Sequence, residues 1–127
     1  MTMRIEALLL LCALHSFGFA LFHLAFWKLF RWPRTLRDTT LPNRAILQIA
    51  NVQLVWVFLC VGAACLLYPA ELTGTPLGRA LLGGMSLFWL VRLVGQFVWL
   101  RIDHRMVHAL SLLFALGAVL FALPLLR

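Results

Sequence analysis

The sequence predicts an all-α fold: an integral membrane, antiparallel four-helix bundle of four transmembrane helices with both termini outside. Three observations carry that prediction. Four apolar runs, at about 5–30, 43–68, 76–101 and 106–126, each reach the roughly 20 residues that cross a bilayer as a helix. Only 12% of the 127 residues are charged and 64% are hydrophobic, whereas a water-soluble domain carries about 25% charged residues. The stretches between the runs are short and hold three of the five prolines, and most of the basic residues lie in them or within a few residues of their ends. The 127 residues read as a single transmembrane domain.

Segment 1 begins after Arg4 and runs to Phe30. Arg4, an apolar run and FGFA have the outline of a secretory signal. However, Glu6 cancels the leading charge, His15 and Ser16 interrupt the run, and it continues to Phe30, so it reads as a span. On a helical wheel His15, Ser16, Phe19, His23, Phe26, Trp27 and Phe30 share an arc of about 120°. Ala13, Leu14, Phe17, Ala20, Leu21 and Leu24 lie opposite and are expected to meet lipid.

The first connection, KLFRWPRTLRDTTLPNR, sets Lys28, Arg31, Arg34, Arg37 and Arg44 against one acid, Asp38. Pro33 ends segment 1 and Pro42 precedes segment 2. Thr39 or Asn43 is expected to cap segment 2. Basic residues and Trp32 also suit this loop to anionic headgroups. Segment 2 gathers Arg44, Gln48, Asn51, Val55 and Gly62 on one face and leaves Gln53 opposite, as a contact for a second subunit or for its own helix.

The second connection, YPAELTGTP, reads as a turn, with Thr75 as N-cap and Pro76 opening segment 3. Segment 3 carries Met85, Trp89, Arg92, Gln96 and Trp99 on one face, and Ala80 and Gly84 form a small-xxx-small pair that permits close helix contact. RIDHR is a tight third connection, so segments 3 and 4 are expected as antiparallel neighbours. Segment 4 presents His108, Ser111, Ala115, Ala118 and Ala122 along one stripe. Cys12, Cys60 and Cys65 are odd in number, lack CxxC spacing and read as core fillers.

Charge distribution sets the expected orientation. Lys28, Arg31, Arg34, Arg37, Arg44, Arg101 and Arg105 fall on one side, and Arg4, Arg79 and Arg127 on the other. The basic loops 31–44 and 101–105 are therefore expected on the cytoplasmic face of the inner (plasma) membrane. This clustering, rather than a basic soluble surface, also argues against a nucleic-acid partner despite the net charge of +7.

Depth along each span adds a second regularity. At ~1.5 Å per residue, His23 lies about 10 Å from the cytoplasmic end, Gln48 and Asn51 about 6 and 10 Å, Arg92 and Gln96 about 12 and 6 Å, and His108 and Ser111 about 4 and 8 Å. Four spans thus place hydrogen-bonding groups in one slab roughly 8 Å thick. An arginine keeps its charge there, and charge within a span is commonly functional. Asp38 or Asp103 could snorkel to Arg92; otherwise it meets neutral acceptors and attracts an anion.

Arg92, Gln96, Gln48, Asn51, His23, His108 and Trp89 are the candidate ligand-binding residues. Their simplest chemistry is to bind or move a small anionic or amphiphilic ligand, including a membrane lipid. Two other classes remain open. His23 and His108 have the chemistry to hold haem or quinone, and the chain could be a structural subunit that satisfies Arg92 with a partner membrane protein or a second copy. The i, i+4 pair His104 and His108 also has a metal-compatible spacing. No HExxH, GxSxG, CxxC or glycine-rich phosphate loop is present, and no carboxylate lies deep in a span, so a non-enzymatic role is favoured.

Overall fold

The computed structural model describes residues 4–126. Among the described residues it is 86% helical, without strands. Helix α1 spans Ile5–Leu24, α2 Phe26–Leu29, α3 Leu41–Leu67, α4 Pro69–Gly74, α5 Pro76–Trp99 and α6 Arg105–Ala122; 3-10 turns cover Arg34–Leu36 and Leu123–Leu126. Four helices, Ile5–Leu24, Leu41–Leu67, Pro76–Trp99 and Arg105–Leu126, are long and apolar enough to cross a membrane. They mark the chain as a multi-pass membrane protein. Arg127, one of the three basic residues counted on the outer side, lies outside the described residues.

The chain divides into two compact units, one of Met1–Cys12 with Ala64–Arg127 and the other of Ala13–Ala63. In the first, α5 and α6 pack along their length. Gln96 Nε2 donates to Val107 O at 3.1 Å, Ser86 Oγ to Ala118 O at 2.6 Å and Arg79 Nη2 to Leu125 O at 2.7 Å. Falling numbers on α5 meet rising numbers on α6, so these two helices run antiparallel, as the five-residue RIDHR connection predicts. Cys12 Sγ donates to Leu120 O at 3.2 Å, and Cys12 and Cys65 are both buried; Cys60 is exposed.

The helix boundaries follow local chemistry. Thr75 caps α5: its Oγ1 accepts from Gly78 N at 3.0 Å and donates to Glu71 O at 2.7 Å. The stretch YPAELTGTP is a further helix rather than a plain turn, because Pro69 sits at the first helical position. His104 caps α6 through Nδ1, which accepts from Met106 N at 3.0 Å. Neither Thr39 nor Asn43 caps α3. The helix starts at Leu41, Thr39 Oγ1 donates to Leu36 O at 2.7 Å, and Asn43 falls inside the first turn.

Close helix approach occurs at glycines other than the predicted pair. A Cβ on Gly78 would run into Glu71 O and the Leu72 backbone, so Gly78 permits the α4–α5 corner. Gly84 meets open space and Ala80 is exposed. The small-xxx-small pair therefore mediates no close contact among the described residues.

In the second unit, α1 packs on α3 through Phe19 and Phe58, 6.1 Å apart, and through Phe17, whose ring lies 2.6 Å from where a Cβ on Gly62 would be. The predicted lipid face of α1 is corrected accordingly. Leu14, Leu21 and Leu24 are exposed, but Ala13 and Ala20 are buried and Phe17 covers Gly62. Small side chains at Ala13 and Ala20 suit close packing better than lipid contact.

Segment 1 also divides at Ala25. The amide of Ala25 is shared between Leu21 O and Phe22 O, both at 3.1 Å, and the Asn51 side chain donates to His23 O at 2.8 Å. An uninterrupted helix would direct the backbone N–H of Trp27 to that carbonyl. The Asn51 side chain donates to that carbonyl, and the short helix α2 continues the chain.

Candidate functional site

Arg92 and Gln96 stand one turn apart on α5, so their side chains meet by helix geometry alone. Arg92 Nη1 donates to Gln96 Oε1 at 3.1 Å, and Gln96 Nε2 donates onward to Val107 O on α6 at 3.1 Å. Gln96 is 1% exposed. Its amide is thus held at both ends and holds the arginine in turn. The Arg92 guanidinium lies 4.5 Å from the ring centroid of Phe114, and Trp89 stacks on the same ring at 5.7 Å with a 16° tilt. A cation over an aromatic face is stabilised by about 0.5–1 kcal/mol in water and about 2 kcal/mol or more when desolvated. Trp89 is buried and Arg92 is exposed.

No acid among the described residues neutralises this cation. The one ion pair among them joins His108 Nε2 to Asp103 Oδ1 at 2.7 Å. Asp103, a candidate to snorkel toward Arg92, is engaged by His108 instead, because the two lie together at the start of α6. Arg92 has five N–H donors and makes one hydrogen bond among the described residues. The remaining donors are available to an anion.

The second unit holds the other predicted polar residues. His23 Nδ1 donates to Phe19 O at 2.8 Å, which leaves Nε2 as the acceptor nitrogen of the neutral ring. That ring stacks on Phe26 at 4.4 Å and meets Phe58 edge-on at 5.2 Å. Asn51, 4% exposed, donates to the His23 carbonyl. Gln48 Oε1 accepts from Trp27 Nε1 at 3.0 Å, and its Nε2 donates to Arg44 O at 3.1 Å. Both amides tie α1 and α2 to α3.

Comparison of the chain with family models, characterised proteins and solved structures finds no match.

Of the seven predicted site residues, the structure brings Arg92, Gln96 and Trp89 together around Phe114. His108 pairs with Asp103 in the same unit. Gln48, Asn51 and His23 belong to the other unit. Phe114 escaped the sequence reading because an apolar residue in an apolar span carries no signal of its own. Ser16, on the polar-aromatic arc of segment 1, is fully buried and its hydroxyl has no hydrogen-bond partner among the described residues.

A further feature lies in the first connection. Arg31, Trp32, Pro33, Arg34, Arg37 and Arg44 line an open groove of about 730 Å³. Sequence reasoning used these arginines as a sign of orientation and of general headgroup affinity. Their convergence on one groove was not legible there.

Proposed function

We propose that this chain is a non-enzymatic inner-membrane protein that binds or moves a small anionic or amphiphilic ligand, with Arg92 as the anchor. In this reading the four spans form an antiparallel bundle, loops 31–44 and 101–105 face the cytoplasm, and both termini lie outside. The observation that supports it is the state of Arg92: a permanent cation within a span, oriented by a buried amide and an aromatic ring, with no carboxylate beside it. In a low-dielectric setting such a cation favours an anionic group strongly. Gln96 positions the guanidinium, and the buried Phe114 ring lies beneath it with Trp89 stacked on that ring.

The test is native mass spectrometry of the full chain in detergent micelles, titrated with oleate as an amphiphilic carboxylate. Wild type is expected to show one saturable adduct that Arg92→Leu abolishes and Arg92→Lys weakens. If Arg92→Leu instead leaves the adduct and releases a co-purifying membrane protein, Arg92 serves an assembly contact. A Soret band lost on His23→Ala would transfer the reading to haem.

A further inference from the structure

We propose that the groove between α2 and α3 is a binding site for a terminal phosphate, and that its occupant is the phosphomonoester headgroup of an anionic lipid. This site is separate from the Arg92 anchor. Arg31, Arg34, Arg37 and Arg44 line one concavity. Asp38 is the acid within this connection, yet no ion pair joins it to any arginine among the described residues. The like charges therefore accumulate uncompensated. Such a cluster repels itself unless an anion sits among its members.

The groove is also stiff, which a phosphate site requires. Trp32 meets Phe26, Trp27 and Phe30 at 5.7, 5.6 and 6.0 Å between centroids. Trp27 is bonded in turn to Gln48 of α3. Thr35 Oγ1 donates to Phe30 O at 2.6 Å. Arg44 Nη1 donates to Thr39 O at 2.8 Å and to Arg37 O at 3.3 Å, which orients its guanidinium across the loop. Arg31 is held at φ 56°, in the left-handed region that a side chain disfavours. The tightly bonded loop keeps the Arg31 backbone in that conformation beside the groove.

Guanidinium chemistry selects the ligand. Its planar fork matches phosphate oxygens two at a time. A terminal phosphate offers three free oxygens and as many as two charges, whereas a diester offers two oxygens and one charge. Four guanidiniums match the former better. Position selects the source. The groove joins two spans, so it lies at the bilayer boundary, and Leu29, Phe30 and Leu41 are exposed around it as surface for acyl chains.

The deciding experiment uses the full chain in nanodiscs of phosphatidylcholine, doped with phosphatidic acid or phosphatidylglycerol and read by native mass spectrometry at fixed salt. Wild type is expected to retain one phosphatidic acid in preference to phosphatidylglycerol. Arg34→Gln with Arg37→Gln should weaken that binding roughly a hundredfold, about tenfold for each guanidinium withdrawn from the phosphate. Arg34→Lys with Arg37→Lys keeps the charge without the fork and should weaken it roughly tenfold. Arg101→Gln with Arg105→Gln removes the same charge elsewhere and should change binding less than about threefold. Unchanged helical circular dichroism shows that each variant is folded.

Equal weakening in the two glutamine pairs would reduce the effect to net charge and overturn the site. Equal retention of phosphatidylglycerol would overturn the terminal phosphate. Binding of inorganic phosphate alone, competing at millimolar concentration, would overturn the lipid source. Oleate binding at Arg92 is scored separately, so failure of either site leaves the other standing.

Discussion

Gln96→Leu probes the anchoring of Arg92 more finely than removal of the arginine does. Leucine has nearly the volume of glutamine, so a position that is 1% exposed stays filled. Two hydrogen bonds of 3.1 Å disappear, one from Arg92 and one to Val107 O. Within a membrane such bonds average about 0.6 kcal/mol and reach about 1.7 kcal/mol. The loss of both costs about 1–2 kcal/mol, offset in part by the apolar replacement. Val107 O is not orphaned, because Ser111 Oγ still donates to it at 3.0 Å. The larger consequence falls on Arg92, which loses its protein acceptor and swings freely over Phe114. Ordering such a side chain at the moment of binding costs about 0.5–1.5 kcal/mol, which is a loss of roughly 2- to 13-fold in affinity. The assay is the oleate titration, run alongside a thermal melt in detergent. Affinity equal to wild type in Gln96→Leu, with Arg92→Leu still inactive, would refute the claim that Gln96 pre-positions the cation.

Three other perturbations check the packing that supports the sites. Gly62→Leu drives a side chain into the Phe17 ring, 2.6 Å from the Cβ position, and should destabilise by about 1–3 kcal/mol; Phe17→Ala in the same chain should restore part of the loss, read as a non-additive shift in melting temperature. Asn51→Leu frees the His23 carbonyl, costs about 0.6–1.7 kcal/mol and should let the helix run through Ala25, seen as slower amide exchange at Trp27. Thr75→Ala removes the α5 cap at a cost of about 1 kcal/mol, while Thr75→Ser should retain most of the stability; equal melts for the two would show that the cap contributes nothing.

The four spans were legible in the sequence because membrane crossing is a property of local composition over about 20 residues. The Thr75 cap and the Arg92–Gln96 contact were legible for the same kind of reason, since a cap needs only a few consecutive residues and an i, i+4 pair needs one helical turn. The antiparallel pairing of α5 with α6 followed from a connection too short for any other course.

Tertiary structure decided what lies beneath and beside those features. Phe114 under the guanidinium, Asp103 turned to His108, Phe17 against Gly62 and four arginines around one groove all depend on which distant residues meet. In lipid, both the buried and the outer surface of a helix are apolar, so hydropathy loses the contrast that separates inside from outside in a soluble helix. The break at Ala25 shows the limit most directly. No proline or glycine in residues 5–30 marks that point, and the Asn51 amide that donates to the His23 carbonyl there comes from 28 residues beyond.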